Sequence, residues 1–127
     1  MNELTIELLE SYDSNIEFLD ISNIGIGGVL DLSRFTNLKE LYCPYNNITN
    51  LDNLPYNLEI LYCSSNNLTN LDNLPQSLKK LYCYYNELTN LNNLPPNFKK
   101  FDCSNNSLIA SSENILKLIC LLIIRLR

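Results

Sequence analysis

The chain has 127 residues, 46% of them hydrophobic and 18% charged, with a net charge of −5. That is enough apolar material for one domain with a modest core, and too apolar a composition for a disordered segment. An acidic total argues against nonspecific binding to nucleic acid, and no apolar run reaches the ~18 residues that a membrane span needs.

Charge is spread unevenly. Residues 1–33 carry Glu3, Glu7, Glu10, Asp13, Glu17, Asp20 and Asp31 and no base. Residues 79–127 carry Lys79, Lys80, Lys99, Lys100, Lys117, Arg125 and Arg127 against the acids Glu87, Asp102 and Glu113. An elongated fold would be acidic at its start and basic at its end, although solvated surface alone also accounts for such a split. The opening MNELTIELLESYD is acidic where a secretory signal is basic, so no targeting segment is expected. A reducing, cytoplasmic compartment follows as the default. In residues 1–15, Leu4, Ile6, Leu8 and Leu9 predict a short amphipathic cap.

From Ile16 the chain becomes periodic. Ile16, Leu19 and Ile21 open a first repeat of 22 residues, with an insertion around Gly25, Gly27 and Gly28 expected to bulge the outer arc. Rows of twenty then begin at Leu38, Leu58, Leu78 and Phe98. Leu41, Leu61, Leu81 and Phe101 keep that spacing, as do Cys43, Cys63, Cys83 and Cys103. A half-repeat beginning at Leu118, with Leu121 and Ile123 in register, is expected to start a sixth strand; together with Leu126 these close the stack.

Within E-L-Y-C-P apolar residues alternate, so Leu41 and Cys43 face one way and Glu40, Tyr42 and Pro44 the other. Each row therefore predicts one short strand of a parallel sheet. Twenty residues are too few for a strand, two turns and a full helix, and Pro55, Pro75 and Pro95 remove donors that a helix needs. The return arm should be extended. Its core positions are Ile48, Leu68, Leu88 and Leu108, then Leu51, Leu71 and Leu91, then Leu54, Leu74 and Leu94.

These rows resemble the leucine-rich-repeat family, whose signature is L-x-x-L-x-L-x-x-N/C-x-L, over residues 16–127. The twenty-residue length and the Leu54-Pro55, Leu74-Pro75 and Leu94-Pro95 pairs resemble the short bacterial-effector subclass. The Asn-rich, Tyr-Cys-rich wording is similar to repeat proteins of giant amoeba-infecting DNA viruses. The resemblance implies an α/β-class solenoid with a curved parallel sheet on its concave side, an extended convex side, little helix, and a structural ladder of Asn46, Asn66, Asn86 and Asn106. It implies residence in the host cytoplasm if the protein is viral. In bacterial enzymes of this type a separate ligase domain follows the repeats, and no such domain is recognisable in these residues.

Chemistry finds little support. Four cysteines at this spacing would lie in a row ~14 Å long, one per strand, whereas tetrahedral zinc needs every sulfur ~2.3 Å from one ion. They read as small buried hydrophobes, leaving Cys120 as the accessible thiol. Histidine is absent, which removes the commonest general base. Residues 25–28, G-I-G-G, lack the phosphate-loop lysine. Asn47, Asn67 and Asn105 begin glycosylation triplets that read as accidents of the repeat. No catalytic residue, cofactor or metal is expected.

The outward strand face is more informative. Its middle column is Asp20, Tyr42, Tyr62, Tyr82 and Asp102, and the column before it is Phe18, Glu40, Ile60, Lys80 and Lys100. Six of the eight tyrosines lie on or beside this face. Tyrosine suits strands and repeats copy one another, yet an exposed aromatic strip also marks binding surfaces. The expected function is a monomeric, non-catalytic protein-binding module contacting a protein partner through Tyr42, Tyr62, Tyr82 and Tyr84, flanked by Glu40, Lys80, Lys100 and Asp102. Alternatives are the recognition portion of an effector whose catalytic domain is absent, or a structural or decaying repeat copy without a dedicated ligand. Nucleic acid binding through the basic third is disfavoured at this net charge.

Overall fold

A computed structural model of the chain describes residues 1–108, 111, 114–119 and 122. In chain order the elements are helix α1 (Glu3–Glu10) and strands β1 (Phe18–Asp20), β2 (Gly27–Asp31), β3 (Glu40–Tyr42), β4 (Asn47–Asp52), β5 (Ile60–Tyr62), β6 (Lys80–Tyr82) and β7 (Lys100–Asp102). Strands β1, β3, β5, β6 and β7 form one parallel sheet in that order, and β2 and β4 form a second, two-stranded one. The chain is a parallel-sheet solenoid with little helix. Register is set by the repeat: Leu41 pairs with Leu61, Leu61 with Leu81, and Leu81 with Phe101.

Alternation along each strand fixes the core. Leu19, Leu41, Leu61, Leu81 and Phe101 are buried, as are Leu38, Leu58, Leu78 and Phe98 three residues earlier in each row. Ile48, Leu68 and Leu88, Leu71 and Leu91, and Leu74 and Leu94 fill the return side as expected. Leu51, Leu54 and Leu108 are only partly buried. For the first two, extended β4 lies beside a turn at 71–73, and the mismatch opens a cleft of about 220 Å³ lined by Asn50, Leu51, Leu54, Asn70, Leu71 and Leu74.

Where each strand leaves the sheet, its carbonyls and the next turn's amides would be buried without partners. One asparagine per turn prevents this. The Asn66 side-chain amide donates to Cys63 O and Ser64 O in its own turn and to Cys43 O in the turn before, while its Oδ1 accepts from Ile48 N–H. Asn86 does the same for Cys83, Tyr84, Cys63 and Leu68, and Asn106 for Cys103, Ser104, Cys83 and Leu88. Asn46 donates to Ile21 O, Cys43 O and Pro44 O, and accepts from both Ile24 and Ile26.

The ends differ from expectation in three places. The glycine-containing insertion forms strand β2, with the expected bulge showing as a register shift between Gly28 and Val29. Leu19 pairs with Leu41 at a spacing of 22, Gly27 with Asn47 at 20, and Val29 with Asn50 at 21, so the extra length of this row is taken up irregularly around β2. Gly25 and Gly28, at φ +77° and +75°, supply conformations that side chains rarely adopt. In α1, Asn2 caps the helix by accepting from Thr5 N–H, and the face turned inward is Thr5 and Leu9, four residues apart. Leu8 is half-buried, but Leu4 (76% exposed) and Ile6 (40%) point away, so only part of the expected apolar set covers the core. Arg34 ties the helix to the first turn through Tyr12 O. At the other end Leu118 lies in a helical stretch, 114–119, instead of a strand. Ser111 Oγ accepts from Asn114 N–H three residues on, an N-cap arrangement that turns the chain out of register. Cys120, Leu121, Ile123 and Leu126 lie outside the described residues. Among the described residues no helix is long and apolar enough to cross a membrane.

Leu61→Ala should cost about 2–5 kcal/mol, because the lost side chain leaves a cavity in a fully packed turn. Asn66→Ala should cost about 1–3 kcal/mol despite the small volume change, since it orphans buried backbone groups in two turns. Urea unfolding monitored by circular dichroism measures both, and an Asn66→Ala chain as stable as wild type would refute the ladder's energetic role.

Candidate partner-binding face

The outward column of the five-stranded sheet carries the aromatic strip. Tyr42, Tyr62 and Tyr82 end β3, β5 and β6, are paired in register, and are half-buried. Ring centroids of Tyr42 and Tyr62 lie 4.6 Å apart at 50°, and those of Tyr62 and Tyr82 4.3 Å apart at 15°. Strand spacing of ~4.8 Å brings in-register rings into contact, tilted for the first pair and stacked for the second. Phe18, half-exposed on β1, extends the strip by an edge-on contact with Tyr42 at 5.1 Å. Each ring's burial comes largely from its neighbours. Burial, and secondarily the Glu40 carboxylate, raises the Tyr42 phenol above its ordinary pKa, and burial and Tyr82 raise that of Tyr62.

Charged members of the predicted site are sorted along the stack. Glu40 lies beside Tyr42, whose hydroxyl donates to it at 3.4 Å. Lys80 and Lys100 are direct register partners on β6 and β7, and Lys100 lies close enough to Tyr62 to favour its ionisation, opposing the burial that raises it. Asp102 is less available than its position suggests: its carboxylate accepts from Ser104 N–H and Ser104 Oγ. Asp20 is occupied by Ser22 in the same way. One column to the side, Glu17–Lys39 (3.5 Å) and Glu59–Lys79 (3.3 Å) pair between turns. Tyr84 sits half-buried at the strip's edge, 5.9 Å from Tyr85 in an edge-on contact. Ser64, outward by parity, is nevertheless covered, at 1% exposure, with no hydrogen-bond partner for its hydroxyl among the described residues.

Tyr45 and Tyr85 add something sequence parity did not reveal. Both have positive φ, +58° and +54°, at the position just before each ladder asparagine. Other turns place Asn23, Ser65 and Asn105 there. Asparagine tolerates this backbone, whereas a bulky residue held there costs about 1–3 kcal/mol. Nor does burial compensate, since the two side chains are 61% and 58% exposed. The signal was visible only as a tyrosine next to a ladder asparagine.

The cysteines lie on the opposite, inward side. Cys43, Cys63 and Cys83 are fully buried free thiols; Cys103 is half-buried, because the turn beyond it departs from the repeat. Burial, with a smaller contribution from Asp20, pushes the Cys43 thiol up to about 12. Burial pushes Cys63 and Cys83 well up too, and burial and Asp102 raise Cys103 to about 11. Such thiols stay protonated at neutral pH and are poor nucleophiles. No protein-family model matches the chain, and neither does any curated protein.

Raised thiols make an alkaline prediction. Once unfolded, the cysteines ionise near their ordinary value while the folded ones hold their protons, so stability is intact below about pH 8.5 and declines as pH rises toward the folded pKa values. The slope is at most about 1.4 kcal/mol per pH unit per thiol. Urea midpoints should be flat near neutrality and fall above about pH 9, and Cys63→Ala should shallow that fall. In native protein, Cys103 should react with a thiol reagent before Cys43, Cys63 or Cys83; equal rates for all four would contradict the burial order.

Proposed function

We propose that the chain is a leucine-rich-repeat protein, acting as a monomeric, non-catalytic protein-interaction module that binds a protein partner on the concave face of its five-stranded sheet. The unbroken strip Phe18–Tyr42–Tyr62–Tyr82 carries this reading. Its rings are outward, half-exposed and already held by one another, so a partner meets them without a large ordering cost. Tyrosine loses little entropy on binding and is enriched where binding energy concentrates. Tyr84 and the side chains of Glu40, Lys80, Lys100 and Asp102 frame the contact. Protonated thiols and the absence of histidine fit recognition rather than catalysis. A cytoplasmic setting, that of the host if the likeness to giant-virus repeat proteins holds, suits free buried cysteines.

The test is a pull-down from a lysate of the native host, comparing wild type with Tyr42/Tyr62/Tyr82→Ala. The triple variant should lose the captured partner while each substitution costs only about 1 kcal/mol of stability, the worth of a ring contact at a half-open site. Leu61→Ala should weaken both fold and capture. A triple variant that folds and still captures everything wild type captures would reduce the strip to a by-product of repetition.

A further inference from the structure

The partner-binding reading says where contact occurs; the same face also specifies the chemistry of what it contacts. We infer that its occupant is an extended peptide segment with two ends of different character, acidic side chains over Lys80 and Lys100 and apolar or aromatic side chains along Phe18 and Tyr42. This inference rests on the function proposed above and adds the partner's composition and direction.

Four observations converge. The first is the order of charge along one column: Phe18, Glu40, Ile60, Lys80, Lys100, one residue per strand of the sheet. Carboxylates are repelled at the Glu40 end and attracted at the lysine end, which gives the occupant a direction. The second is that neighbouring lysines are already paired and neighbouring carboxylates already hydrogen-bonded. Lys39 and Lys79 are paired to Glu17 and Glu59, and the Asp20 and Asp102 carboxylates are taken by Ser22 and Ser104. Lys80, Lys99 and Lys100 have no ion pair among the described residues, and they outnumber the Asp102 carboxylate on β7, so the β6–β7 end carries net positive charge although the chain is acidic overall.

The third concerns what the tyrosines present. Tyr62 and Tyr82 are nearly parallel at 4.3 Å, so the facing π-surface of each is spent on the other. Ring edges are left outward and attract oxygen acceptors such as carboxylates and peptide carbonyls, while the Tyr42 and Tyr62 hydroxyls already bond to Glu40 and Tyr82. Stacked bases, which need open ring faces, are poorly served. The fourth is the edge wall. Tyr85, held in a costly backbone conformation without burial, stands beside Tyr84 at the lysine end, and Tyr45 stands at the same loop position two turns earlier. Exposed bulky rings at strained positions are explained by an outside contact beside the strand face. Five strands at ~4.8 Å give a track ~19 Å long, matching about six residues of extended chain.

Fluorescence anisotropy on the full chain tests this with synthetic fluorescein-labelled peptides of about eight residues, enough to span the track. One peptide is glutamate-rich in one half and Leu/Phe-rich in the other. A second carries lysine for glutamate, a third serine for the apolar residues, and a single-stranded oligonucleotide serves as a polyanion without apolar character. The first probe should bind, and the second and third each at least about tenfold more weakly. Lys80→Gln/Lys100→Gln should weaken the first by about tenfold and flatten its salt dependence. Failure of the first peptide to bind, equal binding of the lysine peptide or the oligonucleotide, or an unaffected lysine-pair variant overturns the inference. These outcomes are separable from failure of the broader reading. If the tyrosine triple variant loses its captured partner while the lysine pair proves irrelevant, the face binds a partner of other chemistry. If the triple variant retains capture, the face itself is the wrong site.

Discussion

One asparagine side chain per turn does what no hydrophobic contact here can do. Burial of leucine is non-directional and tolerates slippage, but a strand that turns away from the sheet every twenty residues leaves carbonyls and amides facing the core. Each left unpaired costs about 1–3 kcal/mol. Because the asparagine of one turn satisfies groups of the turn before it, as Asn66 does for Cys43 O and Ile48 N–H, no turn is complete alone. Register, the inward row of cysteines and the outward row of tyrosines all follow from that fastening. At the ends the rule bends. The first turn carries Ile24 near the equivalent place, and Asn46 reaches back to two of its amides. Near the other end, Asn114 reaches back instead to Thr89 O and Leu91 N–H.

The middle of the molecule was legible in its sequence because a strict period leaves a single register open. Leu41, Leu61 and Leu81 had to share a face, and strand alternation then put Tyr42, Tyr62 and Tyr82 on the other. The ends were not legible, since repetition no longer constrained them. Phe35, fully buried, occupies the turn position that Pro55 and Pro75 hold later: Leu38 N–H bonds to Phe35 O as Leu58 and Leu78 bond to the prolines. A row of irregular length hid that equivalence. Leu118 fitted the period but lies beyond a serine cap, and local capping outweighed the pattern. On the open face the columns were readable, but the occupation of Asp102 by Ser104 and the backbone of Tyr45 and Tyr85 were not. Both depend on turn geometry outside the strands.

Stacking in register makes every repeated residue a ladder, and ladders differ in what they accomplish. Inward ladders of leucine and cysteine solve packing, and the asparagine ladder solves hydrogen bonding; each would persist in a scaffold with no ligand. An outward ladder of tyrosine also gains something structural, because ring contacts at 4.3–4.6 Å shelter part of each ring. The strip alone therefore does not separate scaffold from binding surface.

The residues that break the repeat are what the binding proposal adds to the strip. Between turns two and four, inward positions barely change: Leu41, Leu61, Leu81 and Cys43, Cys63, Cys83 are identical. On the outward side the column before the tyrosines runs Glu40, Ile60, Lys80, reversing charge within three strands. The loop position before the ladder runs Tyr45, Ser65, Tyr85, twice placing a ring where the backbone disfavours one. Copying explains sameness and packing explains conservatism, but neither explains variation that costs stability. Solvent accepts a lysine as readily as a glutamate, so the charge reversal alone is weak. Joined to exposed aromatics at strained positions and a strip of rings in mutual contact, it is the pattern from which the proposed external partner is argued.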